Sequence, residues 1–305
     1  MPVRDGLTAT RARLPETAPE TTAGEFVGHL IATQRHRHPR DDAAALRARF
    51  SDGQVVDRRG RPFSPASPLS PGEDVFFYRM PAPETPVPFD IDILYRDDDL
   101  LVADKPPFLA TMPRGRHITE TLTVRLRRSL DIPELVPAHR LDRVTSGVLL
   151  CTLRREVRGA YQTLFADRQV DKTYLALAPW REDLAFPLTV RNHIRKTRGQ
   201  WQAQVVPGAP VNAVTQIDVE ARDGDLAVYR LTPHTGRTHQ LRLHLHDLGI
   251  PIVDDPLYPE VHEVSVDDFS RPLQLLASTV GFVDPVDGRE RRFASERRLP
   301  LVAPG

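Results

Sequence analysis

The chain reads His139-Arg140-Leu141-Asp142-Arg143-Val144-Thr145-Ser146-Gly147 immediately before the apolar run Val148-Leu149-Leu150-Cys151. A short continuous apolar run of this kind predicts a buried strand. Because an unpaired buried charge is costly, an acid and arginines next to such a strand are expected to be paired or functional. The segment therefore predicts that Asp142 is held near an arginine at the edge of a hydrophobic core.

Composition narrows the class of protein. A chain of 305 residues can hold one large domain and a smaller one. Its single cysteine, Cys151, excludes an internal disulfide and is expected to be a buried, small apolar residue in a reducing compartment. There is no apolar run of about 18 residues and no signal-peptide pattern, so we expect a cytoplasmic protein without a membrane segment.

Charge is balanced overall but uneven along the chain. With 41 basic and 41 acidic residues, the chain lacks the basic excess that most nucleic-acid-binding proteins show. Arg191 to Arg198, however, carries four cations and no acid. Local patches of this kind can bind phosphate while the whole protein stays neutral.

Patterning divides the chain into four regions. Residues 1–24 are rich in Thr, Ala, Pro and Glu without an apolar period, which predicts disorder. Residues 25–80 predict a small N-terminal extension with two short helices, the second capped by Asp41-Asp42, and short strands. Residues 81–88 form a Pro-rich linker, and 89–300 form the main domain.

The main domain mixes hairpins with separate helices. Acidic residues at 97–99 separate two strand patterns, and Asp223-Gly224 is a second hairpin turn signal. Helices are predicted around Leu122–Leu130, around 157–165 and from Thr238 to Gly249. This order predicts an α+β fold with a central mixed, largely antiparallel sheet flanked by helices.

Three segments together resemble a known family. The segment around Asp142, the run Lys172-Thr173-Tyr174-Leu175-Ala176, and Gly236–Arg242 with Asp255-Pro256-Leu257-Tyr258 are similar to the signatures of the RluA-type pseudouridine synthases. The resemblance covers roughly 89–285. It implies an isomerase that converts uridine to pseudouridine in ribosomal RNA or tRNA, and a partner that is an RNA stem-loop. We expect the enzyme to be a monomer.

The resemblance also assigns three catalytic residues. Asp142 is the carboxylate that acts at the sugar, either by attacking C1′ or by removing the C2′ proton, and both routes stay open. Arg242 is its expected ion-pair partner, since a cation in the first turn of a helix needs a nearby anion. Tyr174 is expected to stack on the flipped uracil and to assist removal of the C5 proton.

Further residues are expected to bind substrate. Arg140 is predicted to enter the RNA in place of the extruded base, and Leu275 to pack under the base. Thr145 and Gly147 are expected to shape the turn that aims Asp142. Lys105 is expected to lie beside the pocket. Arg114, Arg116 and the run Arg191–Arg198 are expected to contact RNA phosphates, and Arg237 is a further substrate-binding candidate.

The reaction as implied requires no metal, nucleotide or redox cofactor, and none is expected. His139 is predicted to be a hydrogen-bonding support. His234, His239, His244 and His246 lack accompanying cysteines, which argues against zinc. The chain departs from the family at Leu276 and at Asp284-Pro285, where histidines are usual.

The sequence disfavours two other functions. A non-catalytic RNA-binding or ribosome-assembly factor on the same fold is disfavoured because Asp142, Tyr174 and Arg242 are all present. A two-carboxylate glycoside hydrolase lacks an identifiable second acid. Residues 25–80 resemble the later part of a small RNA-binding module found in a ribosomal small-subunit protein; the alternative is an extension that packs on the catalytic domain.

Overall fold

The computed structural model describes residues 1–262, 265 and 267–300. It divides the chain into two compact units, one of Met1–Pro86 with Met112–Pro133 and one of Val87–Thr111 with Glu134–Gly305. The sequence had assigned 112–133 to the main domain. The structure differs because the Glu84 carboxylate accepts the backbone N–H groups of Ile118 and Thr119, at 2.9 and 2.7 Å.

The first unit combines short helices with a three-stranded antiparallel sheet in the order β1-β5-β3. Its elements are β1 (Thr10–Arg13), β2 (Thr21–Thr22), α1 (Ala23–Ala32), α2 (Ala43–Ser51), β3 (Val55–Val56), β4 (Pro68–Leu69), β5 (Asp74–Phe77) and α3 (Leu122–Leu130). As the sequence indicated, α2 begins after Asp42, whose side chain accepts the N–H groups of Ala44 and Ala45.

Disorder throughout 1–24 does not match this structure. Strand β1 pairs with β5, and the Arg11 guanidinium bonds to the buried Asp74 carboxylate at 2.8 Å. Leu14, which follows β1, is 3% exposed in the core of this unit. The segment lacks an apolar period because it contributes only two short strands, β1 and β2, whose side chains are half-buried or exposed, and the start of α1.

The second unit is built on a ten-stranded sheet with the strand path β11-β14-β15-β10-β16-β9-β7-β6, to which β8 and β17 add. Its elements are β6 (Asp92–Arg96), β7 (Leu100–Lys105), β8 (Val136–Pro137), β9 (Ser146–Thr152), α4 (Arg155–Ala166), β10 (Asp171–Pro179), β11 (Leu188–Asn192), β12 (Ile194–Arg195), β13 (Gln204–Val205), β14 (Ala213–Asp223), β15 (Leu226–Pro233), α5 (Gln240–Asp247), β16 (Leu275–Val283) and β17 (Glu290–Ala294). All its strand pairs are antiparallel except β9 with β16. The α+β fold with a mixed, largely antiparallel sheet is therefore confirmed.

The parallel contact between β9 and β16 requires a glycine. Gly147 has φ +111° and pairs with Ala277, whose carbonyl oxygen would lie 2.2 Å from a Cβ at this position. No side chain fits at that separation. Gly147 thus lets β9 join the centre of the sheet, directly after the turn that carries Asp142.

A core between α4 and the sheet holds this arrangement. Leu150 and Val148 of β9, fully buried, pack with Tyr161 and Leu164 of α4. Cys151 is buried, as the apolar run around it predicted. Every residue of β9 after Ser146 is buried, so the loop that precedes β9 is anchored at its end by a buried strand.

Candidate active site

A cavity of about 150 Å³ lies among the loop before β9, strand β10, the start of β16 and the segment from β15 into α5. Most of the site residues expected from the sequence line it, and these are Arg140, Asp142, Thr145, Tyr174, Arg237, Arg242 and Leu275. Segments more than a hundred positions apart in the chain therefore converge on one site.

Asp142 is held by its loop rather than by a strand. The Thr145 N–H donates to the Asp142 backbone carbonyl at 3.1 Å, which closes the turn. The Thr111 hydroxyl donates to the Leu141 carbonyl at 2.8 Å and accepts the Leu141 N–H at 3.2 Å. The loop is thus fixed on both sides of Asp142, whose side chain is 25% exposed to the cavity.

Arg242 lies beside Asp142, but its closest partner is another acid. Its Nη1 is 3.7 Å from Oδ2 of Asp142. Its Nε and Nη2 donate to the two carboxylate oxygens of Asp255, at 2.7 and 2.5 Å. The sequence predicted Asp142 alone as the partner of Arg242. The structure adds Asp255, which stands in the sequence only as part of a signature.

Asp255 is itself fixed. Its Oδ1 accepts the N–H groups of Leu257 and Tyr258, at 2.8 and 3.2 Å, and its side chain is fully buried. Burial opposes the charged form of Arg242, but hydrogen bonds and attraction from Asp255, with the charge of Asp142, raise the pKa of Arg242 above its ordinary value. Arg242 is therefore a permanent cation with one pair of donors on Asp255 and its remaining nitrogen towards Asp142.

Tyr174 faces the same cavity from β10. The register of β10 against β16 shifts between Thr173 and Tyr174, and such irregularities re-aim side chains. Burial, with the charge of Asp142, raises the pKa of Tyr174 well above its usual range. The ring is thus a neutral phenol beside the carboxylate.

Two histidines near the site are neutral supports. His139 stacks on Phe165 with ring centres 4.2 Å apart, and its Nε2 accepts the Leu150 N–H at 3.1 Å. Burial, together with the charge of Lys172, lowers the pKa of His139 to about 3. His244, on α5, bonds the Thr215 hydroxyl and the Asn192 amide oxygen, and burial lowers its pKa to about 4.

Lys105 and Gly147 do not line the cavity; both lie behind it. The Lys105 ammonium donates to the carbonyls of Pro106 and Leu109, both at 2.8 Å, and of Arg143 at 3.2 Å. Its side chain is fully buried. Three acceptors match the three donors of a lysine, so Lys105 secures the backbone next to Asp142.

Other expected residues lie elsewhere. Arg114 and Arg116 are exposed residues of the first unit. Leu276 is buried in the sheet. Asp284 accepts hydrogen bonds from the Tyr161 hydroxyl at 2.9 and 3.0 Å, and Arg291 pairs with it at 3.3 Å, so this departure from the family serves a buried polar network.

A second, wider groove of about 460 Å³ adjoins the first cavity and shares Arg140, Lys172, Tyr174 and Arg237 with it. It adds Arg168, and no carboxylate appears among its described lining residues. Burial, with the charge of Arg168, lowers the pKa of Lys172. Four cations without a counter-charge favour an anionic ligand.

Among the described residues, no group of three or more His, Cys, Asp or Glu is placed to hold a metal ion. Within the same residues, no helix has the length and apolar character needed to cross a membrane.

Comparison with known proteins identifies one family. A family model described as RNA pseudouridylate synthase matches residues 99–247. An RNA pseudouridine synthase of Synechocystis sp. is 31% identical over 231 residues, which are 74% of this chain and 77% of that protein. The Bacillus subtilis RNA pseudouridine synthase YlyB is 28% identical over 300 residues, 93% of each chain.

A solved structure is similar as well. Human RNA pseudouridylate synthase domain containing 1 is 26% identical and superposes with a TM-score of 0.55, covering 68% of this chain and 84% of that one. Sequence and fold thus agree on one assignment. The chain belongs to the RluA-type family of RNA pseudouridine synthases, isomerases that convert uridine in RNA to pseudouridine.

Proposed function

We propose that this enzyme isomerises specific uridines in ribosomal RNA or tRNA stem-loops, with Asp142 as the carboxylate that acts at the sugar. The observation that carries the proposal is the convergence of Asp142, Tyr174 and Arg242 on one small cavity. An apolar cavity of about 150 Å³ can take benzene, so a volume of about 150 Å³ suits one pyrimidine ring.

The reaction conserves the composition of the nucleotide. The bond from C1′ to N1 breaks, the uracil turns within the site, and C5 bonds to C1′. The C5 proton leaves and N1 gains a proton, so no electrons are exchanged with a cofactor. Asp142 serves either by bonding to C1′ or by taking the C2′ proton, and its position beside the cavity suits both.

Arg242 and Tyr174 have separate roles in this proposal. Arg242 places a buried positive charge 3.7 Å from Oδ2 of Asp142 without neutralising it by a direct hydrogen bond. Tyr174 offers a ring for the flipped uracil, where stacking is worth about 1–3 kcal/mol. Leu275 completes an apolar surface in the same cavity.

The groove next to the cavity supports RNA as the substrate. Arg140, Arg168, Lys172 and Arg237 line it, and such cations pair with phosphate oxygens. Arg140 is exposed at the border of groove and cavity, which suits insertion into the space left by the extruded base. Unpairing a base costs a few kcal/mol, which such an insertion helps to offset.

A hairpin of β12 and β13 extends this basic surface. Between Leu184 and Ile217 the sequence contains no acid. The run Arg191–Arg198 begins at the end of β11 and continues into the hairpin, which also carries Trp201, 71% exposed. Its base joins the cavity rim, because Asn212 bonds both backbone groups of Ile194 and accepts from Arg237 Nε at 3.2 Å. Cations next to an exposed aromatic ring are typical of single-stranded RNA contacts.

The test uses the full chain with unmodified ribosomal RNA and tRNA, followed by mapping of pseudouridine at single-nucleotide resolution. We expect new pseudouridines at a small number of loop positions in one or both RNA classes. Conversion of uridine in neither class would contradict the proposed substrate, and release of free uracil would contradict isomerisation.

A further inference from the structure

His239 lies close to Asp142, in a backbone conformation that needs support. Its φ is +58°, in the left-handed region, where histidine is uncommon although more frequent than most residues. Its Nε2 lies 3.9 Å from Oδ2 of Asp142, and its side chain is 11% exposed. Burial lowers the pKa of His239 to about 4, so the imidazole is neutral at pH 7.

The other ring nitrogen is fixed by a tyrosine. His239 Nδ1 is 3.1 Å from the Tyr258 hydroxyl, and the two rings meet edge to face. That hydroxyl accepts the Ala203 N–H at 2.7 Å. Its own proton has two acceptors within reach, His239 Nδ1 and the Ala203 carbonyl at 3.2 Å.

The charge of Asp142 decides between these acceptors. If the hydroxyl donates to Ala203, then Nδ1 carries the imidazole proton and the lone pair of Nε2 faces a carboxylate. If it donates to His239, then Nε2 carries the proton and a donor faces the carboxylate. The second arrangement places opposite partial charges together, so the charge of Asp142 favours the Nε2–H form, and Tyr258 stabilises that form by donating to Nδ1.

His239 and Arg242 approach the same oxygen. Nε2 of His239 and Nη1 of Arg242 lie 3.9 and 3.7 Å from Oδ2 of Asp142, respectively. We propose that His239 is a positioning residue that holds Oδ2 of Asp142 through its Nε2–H, which leaves Oδ1 for the sugar. This inference rests on the proposed role of Asp142. At 3.9 Å the Nε2–H orients the carboxylate by charge and dipole rather than by a full hydrogen bond, and a misplacement of about 1 Å in an active site can lower the rate about a hundredfold.

Two amide variants separate positioning from support of the backbone. In His239→Gln the amide nitrogen reaches about as far as Nε2, whereas in His239→Asn it reaches only as far as Nδ1. Asparagine tolerates positive φ better than glutamine does. A structural role therefore favours Asn, and a positioning role favours Gln.

The experiment measures kcat and KM from tritium release by RNA containing 5-tritiated uridine, using the full chain. We expect His239→Asn to lower kcat by up to about a hundredfold, with KM unchanged and Gln restoring part of the rate. An Asn variant at least as active as Gln, or wild-type kcat in both, overturns the inference.

Tautomer state is a second measurement. We expect ¹⁵N NMR to place the proton of His239 on Nε2 in the wild type and to show a mixture in Tyr258→Phe; a proton on Nδ1 in the wild type overturns the inference. Asp142→Ala is assayed alongside. Turnover by that variant refutes the proposed function itself, whereas an inactive Asp142→Ala with fully active His239 variants refutes only the role of His239.

Discussion

Asp255→Asn tests how the site keeps Arg242 in place. The Arg242 side chain is 2% exposed, and Asp255, fully buried, accepts from its Nε and Nη2 at 2.7 and 2.5 Å. Removing one partner of a buried ion pair costs about 3–5 kcal/mol. Asparagine keeps one acceptor, and Asp142 remains 3.7 Å away, so we expect a loss of about 3 kcal/mol, at the lower end of that range.

Activity should fall further than stability alone explains. Without its second carboxylate, Arg242 is drawn towards Asp142 and closes the gap between them. A misplacement of about 1 Å in an active site can lower the rate about a hundredfold. Stability is measured by urea unfolding, where a shifted midpoint with an unchanged m value reports a change in stability. Activity is measured as turnover at saturating RNA.

The neighbouring acid supplies a matched control. Asp254 has φ +58°, which asparagine tolerates, and it pairs with Arg271, whose side chain is 79% exposed. A surface pair of this kind is worth at most about 1 kcal/mol, so Asp254→Asn should keep stability and activity. Equal unfolding midpoints and equal turnover for the Asp254 and Asp255 variants would refute the reasoning.

Three further predictions follow from particular contacts. Gly147→Ala should lower the free energy of unfolding by at least about 2 kcal/mol, because its Cβ would lie 2.2 Å from the Ala277 oxygen. The control Gly159→Ala, whose Cβ would meet no atom within 4 Å, should leave stability unchanged or raise it, and chemical denaturation measures both variants. Tyr174→Phe should keep RNA affinity and lose turnover, while Tyr174→Ala should also weaken RNA binding by about 1–3 kcal/mol, measured by titration. Burial lowers the pKa of His244 to about 4, so between about pH 6.5 and pH 4 the unfolded chain binds more protons than the folded one. The free energy of unfolding should therefore fall as the pH falls through this window. In urea titrations, His244→Gln should reduce this dependence by up to about 1.4 kcal/mol per pH unit.

The sequence predicted the elements whose signals are local. Asp42 was expected to cap a helix and does so by accepting two N–H groups. Helix α5 was expected from Thr238 and begins at Gln240, because His239 adopts a left-handed conformation. Residue propensities do not predict that conformation. The charged turn before β9 was located correctly, since a buried strand beside ionised groups is visible in composition alone.

What the sequence missed depends on distant partners. The four N–H and hydroxyl groups that bond to Glu84 lie 34 to 36 positions away, so residues 112–133 could not be assigned to the first unit from composition. Asp255 follows an apolar run and shows no periodicity that marks it as the partner of Arg242. The role of its carboxylate is visible only in the fold, where α5 places Arg242 within hydrogen-bonding distance of it.

Lys105 illustrates the same limit. Its place before two prolines gave it a substrate-binding role by resemblance, yet the structure turns its ammonium towards three backbone carbonyls. A lysine in a loop is usually solvated, and only the fold shows that this one is buried. Of the arginines that line the groove, Arg140 and Arg237 were predicted to bind substrate, whereas Arg168 was not singled out because arginine is abundant throughout the chain.

The central claim is that Asp142 acts chemically at the sugar, and the most direct measurement compares Asp142→Ala with the wild type in the tritium-release assay on the same RNA. We expect no release from the variant, with the fold retained and RNA affinity largely kept. Measurable turnover by a folded Asp142→Ala enzyme would contradict the account.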